Sequence, residues 1–279
     1  MAFHRVAVNV DGDRACAKRV AFAAAIARRY GGELVGVFAR LPNPAVSASV
    51  WPALPNNEVM DRLREVHGAE IDAHIGRLRP EFEAAAGEVP TDWLEAEGDR
   101  AAAMIRAAQT AALLVVAQPD EQDPLNYLTR ESVSDIVMRS GRPVLFHPYI
   151  GADPEFRRIL VAWDGSREAV RAFNDAAPFM DGADVLFLTV APDSEQKASA
   201  GDADRLTGFA GRMGAKASLA EHIAHDIRVG DVVMSRAADH SADLVVMGGY
   251  SHSRFRELVL GGATRDILDQ MPVPVLMSH

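Results

Sequence analysis

The stretch Arg5-Val6-Ala7-Val8-Asn9-Val10-Asp11-Gly12 returns in the second half of the chain as Arg158-Ile159-Leu160-Val161-Ala162-Trp163-Asp164-Gly165. Each copy is a short apolar run that ends in Asp-Gly, and an Ala-rich helical stretch follows each. Two more correspondences come in the same order. Leu114-Val115-Val116-Ala117 pairs with Leu244-Val245-Val246-Met247, and Arg142-Pro143-Val144-Leu145 pairs with Val273-Pro274-Val275-Leu276. One apolar strand resembles another by chance, but three in register mark an old duplication.

Working outward from these strands, continuous apolar runs of four to eight residues predict strands buried on both faces, as in a parallel sheet covered by helices. In the first half they are Val6–Val10, Leu34–Phe38, Thr91–Ala96, Leu113–Ala117 and Val144–Phe146. In the second half they are Ile159–Trp163, Val185–Val190, a weaker Ala217–His222, Leu244–Met247 and Val273–Met277. Helical stretches separate them, at about Arg167–Met180, Asp202–Met213, Val229–His240 and Ala263–Gln270 in the second half. Strands alternating with helices imply right-handed crossovers. The expected fold is therefore α/β, with two tandem doubly wound five-stranded parallel-sheet domains related by pseudo-twofold symmetry. Gly and Pro interrupt both periodicities at Pro148–Glu155, so the domains are expected at 1–148 and 155–279. Leu41–Asn57 holds four prolines and reads as a loop or lid before a long helix that begins near Glu58.

Composition narrows the function. The chain has 279 residues and a formal charge of −10, and acidic residues outnumber basic ones in both halves. Nucleic-acid binding and polybasic membrane contact need clustered Lys and Arg, so neither is expected. One cysteine, Cys16, excludes an intramolecular disulfide and a Cys-rich metal site. No apolar run reaches the roughly 18–20 residues that span a bilayer. Met1–Val6 lacks a basic segment followed by a long apolar core, so no signal peptide is expected and the cytoplasm is the default location.

In an open parallel sheet, ligands bind beyond the carboxyl ends of the strands, at the switch point in strand order. Asp164 stands there and can accept from a ribose or base; equally, Asp164-Gly165-Ser166 can turn the chain and cap the next helix, and the two roles can coexist. After the fourth strand of the second half come Gly248-Gly249-Tyr250-Ser251-His252-Ser253-Arg254 and then Leu258-Val259-Leu260-Gly261-Gly262-Ala263-Thr264. Glycine pairs let backbone approach a phosphate and offer free N–H groups at a helix start. Ser251 or Thr264 can add a hydroxyl, and Arg254 or Arg256 a charge; the competing reading is tight turns with a solvated arginine rim. His222, His225 and Asp226 read as loop residues or as metal ligands. Gly249-x-Ser251-x-Ser253 falls one glycine short of a hydrolase nucleophile elbow, and Cys16 reads as helix packing.

Val161-Ala162-Trp163-Asp164-Gly165-Ser166, Met247-Gly248, the Ser/Arg-rich loop, Glu257-Leu258-Val259-Leu260-Gly261-Gly262 and Pro272-Val273-Pro274-Val275-Leu276 together resemble the universal stress protein family. The resemblance covers most of 156–279 and reaches 1–148 through the repeat, so the chain looks like a tandem member. It implies an adenine nucleotide alpha hydrolase-like α/β unit in each half and stress-linked regulation or ligand sensing, with no catalytic residue assigned. ATP or a related adenine nucleotide is the implied ligand of the second half.

The family's motif runs Gly, two residues, Gly, nine residues, Gly, then Ser or Thr. Here those positions are Gly248, Ser251, Gly261 and Gly262, so two of the four match. Asp164 matches the family's base- or ribose-contacting Asp, and Val190 sits where backbone contacts to adenine are made. The first half keeps Asp11 but continues Gln118-Pro119-Asp120-Glu121-Gln122-Asp123, whose charge would repel a triphosphate. No nucleotide is expected there in the family's manner. The alternative function is slow ATP hydrolysis or adenylate-type chemistry. Single-domain relatives commonly pair their last strands across a dimer; the two halves are expected to pair that way within the chain, and a homodimer through other surfaces stays open.

Overall fold

The computed structural model describes residues 3–41, 57–120, 122–123, 125–126, 128–191, 200–223, 227–250 and 262–279. The strands are β1 (Arg5–Asn9), β2 (Glu33–Arg40), β3 (Thr91–Glu97), β4 (Leu113–Ala117), β5 (Val144–His147), β6 (Arg158–Ala162), β7 (Asp184–Ala191), β8 (Lys216–Ile223), β9 (Leu244–Gly248) and β10 (Val275–Ser278). Between them lie the helices α1 (Cys16–Arg29), α2 (Asn57–Ala86), α3 (Arg100–Ala108), α4 (Arg130–Arg139), α5 (Arg167–Asp175), α6 (Ala200–Arg212), α7 (Val229–Asp239) and α8 (Gly262–Gln270).

All ten strands join one sheet in the order β3-β2-β1-β4-β5-β10-β9-β6-β7-β8. Read inward from either edge, the order is the same: third, second, first, fourth, fifth strand of each half. Neighbours within a half run parallel. At the centre β5 and β10 run antiparallel, with Val144 opposite Met277, Leu145 opposite Leu276 and Phe146 opposite Val275.

Apolar side chains leave both faces of the inner strands such as β1, β2, β4 and β9, which is why those sequences are runs, whereas the outer strands β3 and β8 are mixed and partly exposed. On β1, Val6 and Val8 face α1 and α2, while Ala7 faces α3 and α4. β4 is buried along its whole length. One helical layer consists of α1, α2, α5 and α6, packed through residues such as Val20, Phe82, Phe173 and Ala210. The opposite layer consists of α3, α4, α7 and α8, packed through Met104, Ile136, Val233 and Ile267. Aromatic rings tie the first layer together across the centre: Phe3 meets Phe179 at 5.0 Å, Phe156 meets Phe179 at 4.8 Å, and the Tyr30 hydroxyl donates to the Pro178 carbonyl at 2.6 Å.

Local signals set several helix starts. Asp99 caps α3 by accepting from the Ala102 N–H at 2.7 Å. Thr129 does the same for α4 and Ser166 for α5, through the N–H groups of Ser132 and Ala169. The helix expected to reach Met180 ends at Asp175, and a 3₁₀ turn takes its place over Ala177–Phe179. Pro178 explains the stop, because it lacks the N–H that would continue the α-helical ladder and its ring crowds the carbonyl four residues back. β10 begins at Val275 rather than Val273, since Pro274 offers no N–H to a ladder. The proline-rich loop expected over 41–57 lies almost wholly outside the described residues.

Candidate functional site

In the second half β6 lies between β7 and β9, and register brings their carboxyl ends level. Ala162 is opposite both Leu188 and Met247. Asp164, Val190 and Gly248, each one or two residues further on, therefore end three adjacent strands. Asp164 is exposed and Val190 half-buried. One Asp164 carboxylate oxygen accepts from the Ser166 N–H at 2.9 Å, and the Ser166 hydroxyl in turn accepts from Ala169 at 3.2 Å. The capping role read from Asp164-Gly165-Ser166 is thus present. Gly165 has φ +73°, which suits glycine at this bend.

Gly248 is glycine for a steric reason. A Cβ there would lie 2.6 Å from the Ala169 nitrogen and 2.8 Å from the Glu168 carbonyl carbon. The start of α5 therefore presses on the end of β9 and brings the Asp164 turn close to Gly248. Beyond Gly248, the Gly249 N–H donates to Ser278 at 2.9 Å, and Tyr250 adopts φ 62°. That left-handed conformation is uncommon for a non-glycine residue. Burial pushes the Tyr250 hydroxyl up to about 12.

Of the other expected site residues, Gly262 opens α8 and Thr264 lies in its first turn, buried. Ser251 and Gly261 lie outside the described residues, as do His225, Asp226, Arg254 and Arg256. His222 is on β8. The described part of the site is therefore Asp164, Val190 and Gly248, with Gly262 and Thr264 at the helix that follows the loop.

The first half carries the same topology with different chemistry. Asp11 corresponds to Asp164, yet it is buried, with 3% of its surface exposed. The Arg19 guanidinium sits on it at 2.7 Å and on Asp13 at 3.0 Å, and its Nε donates to the Asn9 carbonyl at 3.1 Å. Burial works against the charge of Arg19, but Asp11 and Asp13 more than offset this and hold its pKa above the ordinary arginine value. Asn9 donates to Asp11 at 2.8 Å and accepts from Ala117, and Arg100 approaches Asp11 at 3.8 Å. Asp11, Asp13 and Cys16 bring possible metal-ligand atoms within 4.8 Å of one another. The guanidinium already pairs with both carboxylates, and burial pushes the Cys16 thiol up, so these groups are set as an ion-pair network rather than a metal cage.

Three features escaped the sequence reading. Arg19 falls eight residues after Asp11, where Ala172 stands eight after Asp164; an arginine inside an Ala-rich helix was the available signal. Gln118, where the second half has Gly248, sends its side-chain amide across to the Leu268 carbonyl at 2.9 Å and accepts from the Tyr149 N–H. His147 is 1% exposed, and neither ring nitrogen has a hydrogen-bond partner among the described residues. Nothing in the local sequence distinguishes it from a surface histidine.

Residues 155–279 match the Universal stress protein family. A universal stress protein from Archaeoglobus fulgidus DSM 4304 is similar over 98% of this chain and 95% of its own, with a TM-score of 0.69 at 15% identity. A putative universal stress protein from Pseudomonas aeruginosa UCBPP-PA14 is similar over 99% of this chain and 93% of its own, with a TM-score of 0.56 at 16% identity. No curated protein matches the chain. The whole chain thus shares its fold with these universal stress proteins, and the family's own sequence pattern lies in residues 155–279.

Proposed function

We propose that this chain is a regulatory, ligand-sensing universal stress protein of the cytoplasm, with domains at 1–148 and 155–279, and that the second domain binds an adenine nucleotide. One observation carries this reading. Asp164, Val190 and Gly248 end three adjacent parallel strands at one level, and Gly248 leaves no room for a side chain where backbone must come close. The carboxyl ends of such strands are where doubly wound sheets take their ligands. In this site Asp164 accepts from the ribose or base, the backbone beside Val190 faces the adenine edge, and the glycines with the start of α8 meet the phosphate. Ser251 and Gly262, which depart from the family pattern, weaken the phosphate end, so ATP is not favoured over a nucleotide with fewer phosphates. The antiparallel seam of β5 and β10 supports treating the two domains as one internal pair.

The test is mass spectrometry of small molecules released on denaturing freshly purified protein. An adenine nucleotide present in the unaltered chain and absent from Asp164→Ala is the expected result. An empty protein whose melting temperature no adenine nucleotide raises would overturn the reading.

A further inference from the structure

We propose that helix α4 of the first domain is a positioning wall for the second domain's ligand turn, so that the adenine-nucleotide site of 155–279 is complete only with the first domain in place. The inference rests on the nucleotide reading of the second domain and goes one step past it. It gives the first domain, where no nucleotide is expected, a part in the other domain's site. The turn is Gly248-Gly249-Tyr250, where β9 ends and the chain leaves the sheet.

Gly249 meets α4 directly. A Cβ at this position would lie 2.8 Å from Val137 Cγ1, closer than packed carbon atoms come. Val137 is itself buried on α4 and has little room to give. On its other side the turn is tied to β10: the Gly249 N–H donates to the Ser278 carbonyl at 2.9 Å, and His279 Nδ1 donates to the Gly249 carbonyl at 3.0 Å. Gly249 does not take a positive φ, so glycine here answers to space and not to backbone conformation. Gly248 is pressed by α5 of its own domain and Gly249 by α4 of the other, so the turn lies between helices of both. Tyr250 then turns through φ 62°, a left-handed conformation that a non-glycine residue keeps only when its surroundings hold it there. Its ring packs against the apolar layer to which Val133, Ile136 and Val137 of α4 belong. Ser134, also on α4, lies close enough to the Tyr250 hydroxyl to work against the rise in its pKa.

The same arrangement recurs with the domains exchanged, so it belongs to the duplicated plan and not to one side chain. Gln118 stands in the first domain where Gly248 stands in the second, and its side-chain amide donates to the Leu268 carbonyl of α8 at 2.9 Å. Leu268 is the counterpart of Val137, because each stands seven residues before the start of its domain's last strand, at Val275 and Val144. Arg130 of α4 and Asp269 of α8 join the two helices at 3.5 Å. Each turn after a fourth strand thus leans on the last helix of the opposite domain. In the first domain the support is a side-chain hydrogen bond. In the second it is backbone pressed against a buried valine, so any shift of α4 is passed to Gly249 and Tyr250, where the phosphate end of the proposed site begins.

The experiment adds a methyl to the turn and then makes room for it on α4, in the full chain. Amide exchange at position 249, whose N–H donates to Ser278, reads the turn without any ligand. Val245, which donates to the Pro274 carbonyl near the start of the same strand, is the reference for global stability. Gly249→Ala is expected to lower protection at 249 relative to Val245 by at least about tenfold, and to weaken calorimetric binding of AMP by as much. Adding Val137→Ala, in the other domain, is expected to restore most of both, because the two sites are in contact. Unchanged protection at 249 in Gly249→Ala overturns the proposal, as does a loss that Val137→Ala does not relieve. If the unaltered chain takes no AMP, the nucleotide reading falls, and exchange at 249 still decides whether α4 sets the turn. Should Gly249→Ala not fold, Val137→Ala alone decides. Removing the wall is expected to lower protection at 249 relative to Val245 by at least about threefold, and equal changes at both amides overturn the proposal.

Discussion

Arg19 and Ala172 occupy the same place eight residues after the two repeated aspartates, and Asp11 is buried where Asp164 is exposed. Arg19 is wholly buried and pairs with both Asp11 and Asp13. Truncating one member of a buried ion network strands the remaining charges in a medium that solvates them poorly. Arg19→Ala is therefore expected to destabilise the chain by about 3–5 kcal/mol, read from denaturant unfolding. A loss under about 1 kcal/mol would show that Asp11 and Asp13 find other partners. His147 gives a second prediction at this scale. Burial, then the nearby charges of Arg19 and Lys18, lower its pKa from 6.5 to about 3. Between those values the unfolded chain takes up a proton that the folded chain refuses, so stability falls as pH drops through this window. The expected loss is about 1.5 kcal/mol between roughly pH 6.5 and 5. His147→Phe should remove that part of the acid sensitivity, and an unchanged pH profile would contradict it.

Among the elements, the decisive contact is α5 against the end of β9. Helix α5 starts at the Ser166 cap, and its first turn runs so close to Gly248 that no Cβ fits between them. Gly248→Ala must push the start of α5 away from the sheet, carrying the Asp164 turn with it. The expected cost is about 1–3 kcal/mol of stability, and, on the proposed function, loss of the adenine nucleotide. Wild-type unfolding midpoint and unchanged nucleotide content in this variant would show that the contact does not position the turn. The edge between β5 and β10 works differently. Leu145 and Leu276 face each other with no exposed surface, so that pairing rests on apolar burial and the ladder together.

At the scale of the whole molecule, the seam leaves β3 and β8 as the edges of the ten-stranded sheet formed among the described residues. Cutting the chain between 151 and 152 would uncover β5 in one fragment and β10 in the other, along with Phe3 and Phe179 from the aromatic bridge. Unpaired apolar edges seek partners. Co-expressed fragments are expected to purify as a one-to-one complex, and each alone to self-associate in light scattering. Two stable monomers would show that the seam is not what holds the fragments together.

The repeated apolar runs were enough to place the inner strands, because burial on both faces demands unbroken apolar sequence and little else produces it. Asp164-Gly165-Ser166 likewise showed its turn and cap, since such bonds span only two or three residues. Legibility stopped where partners are distant in the chain. The strand order, the antiparallel meeting of β5 with β10, the glycine at 248 and the contact of Gly249 with Val137 depend on segments brought together by folding. A buried guanidinium and an exposed one have the same letter in the sequence. Local sequence determined which elements form, because propensity and periodicity act over a few residues. Tertiary packing decided which aspartate stayed open, because charge burial depends on what the fold places opposite it.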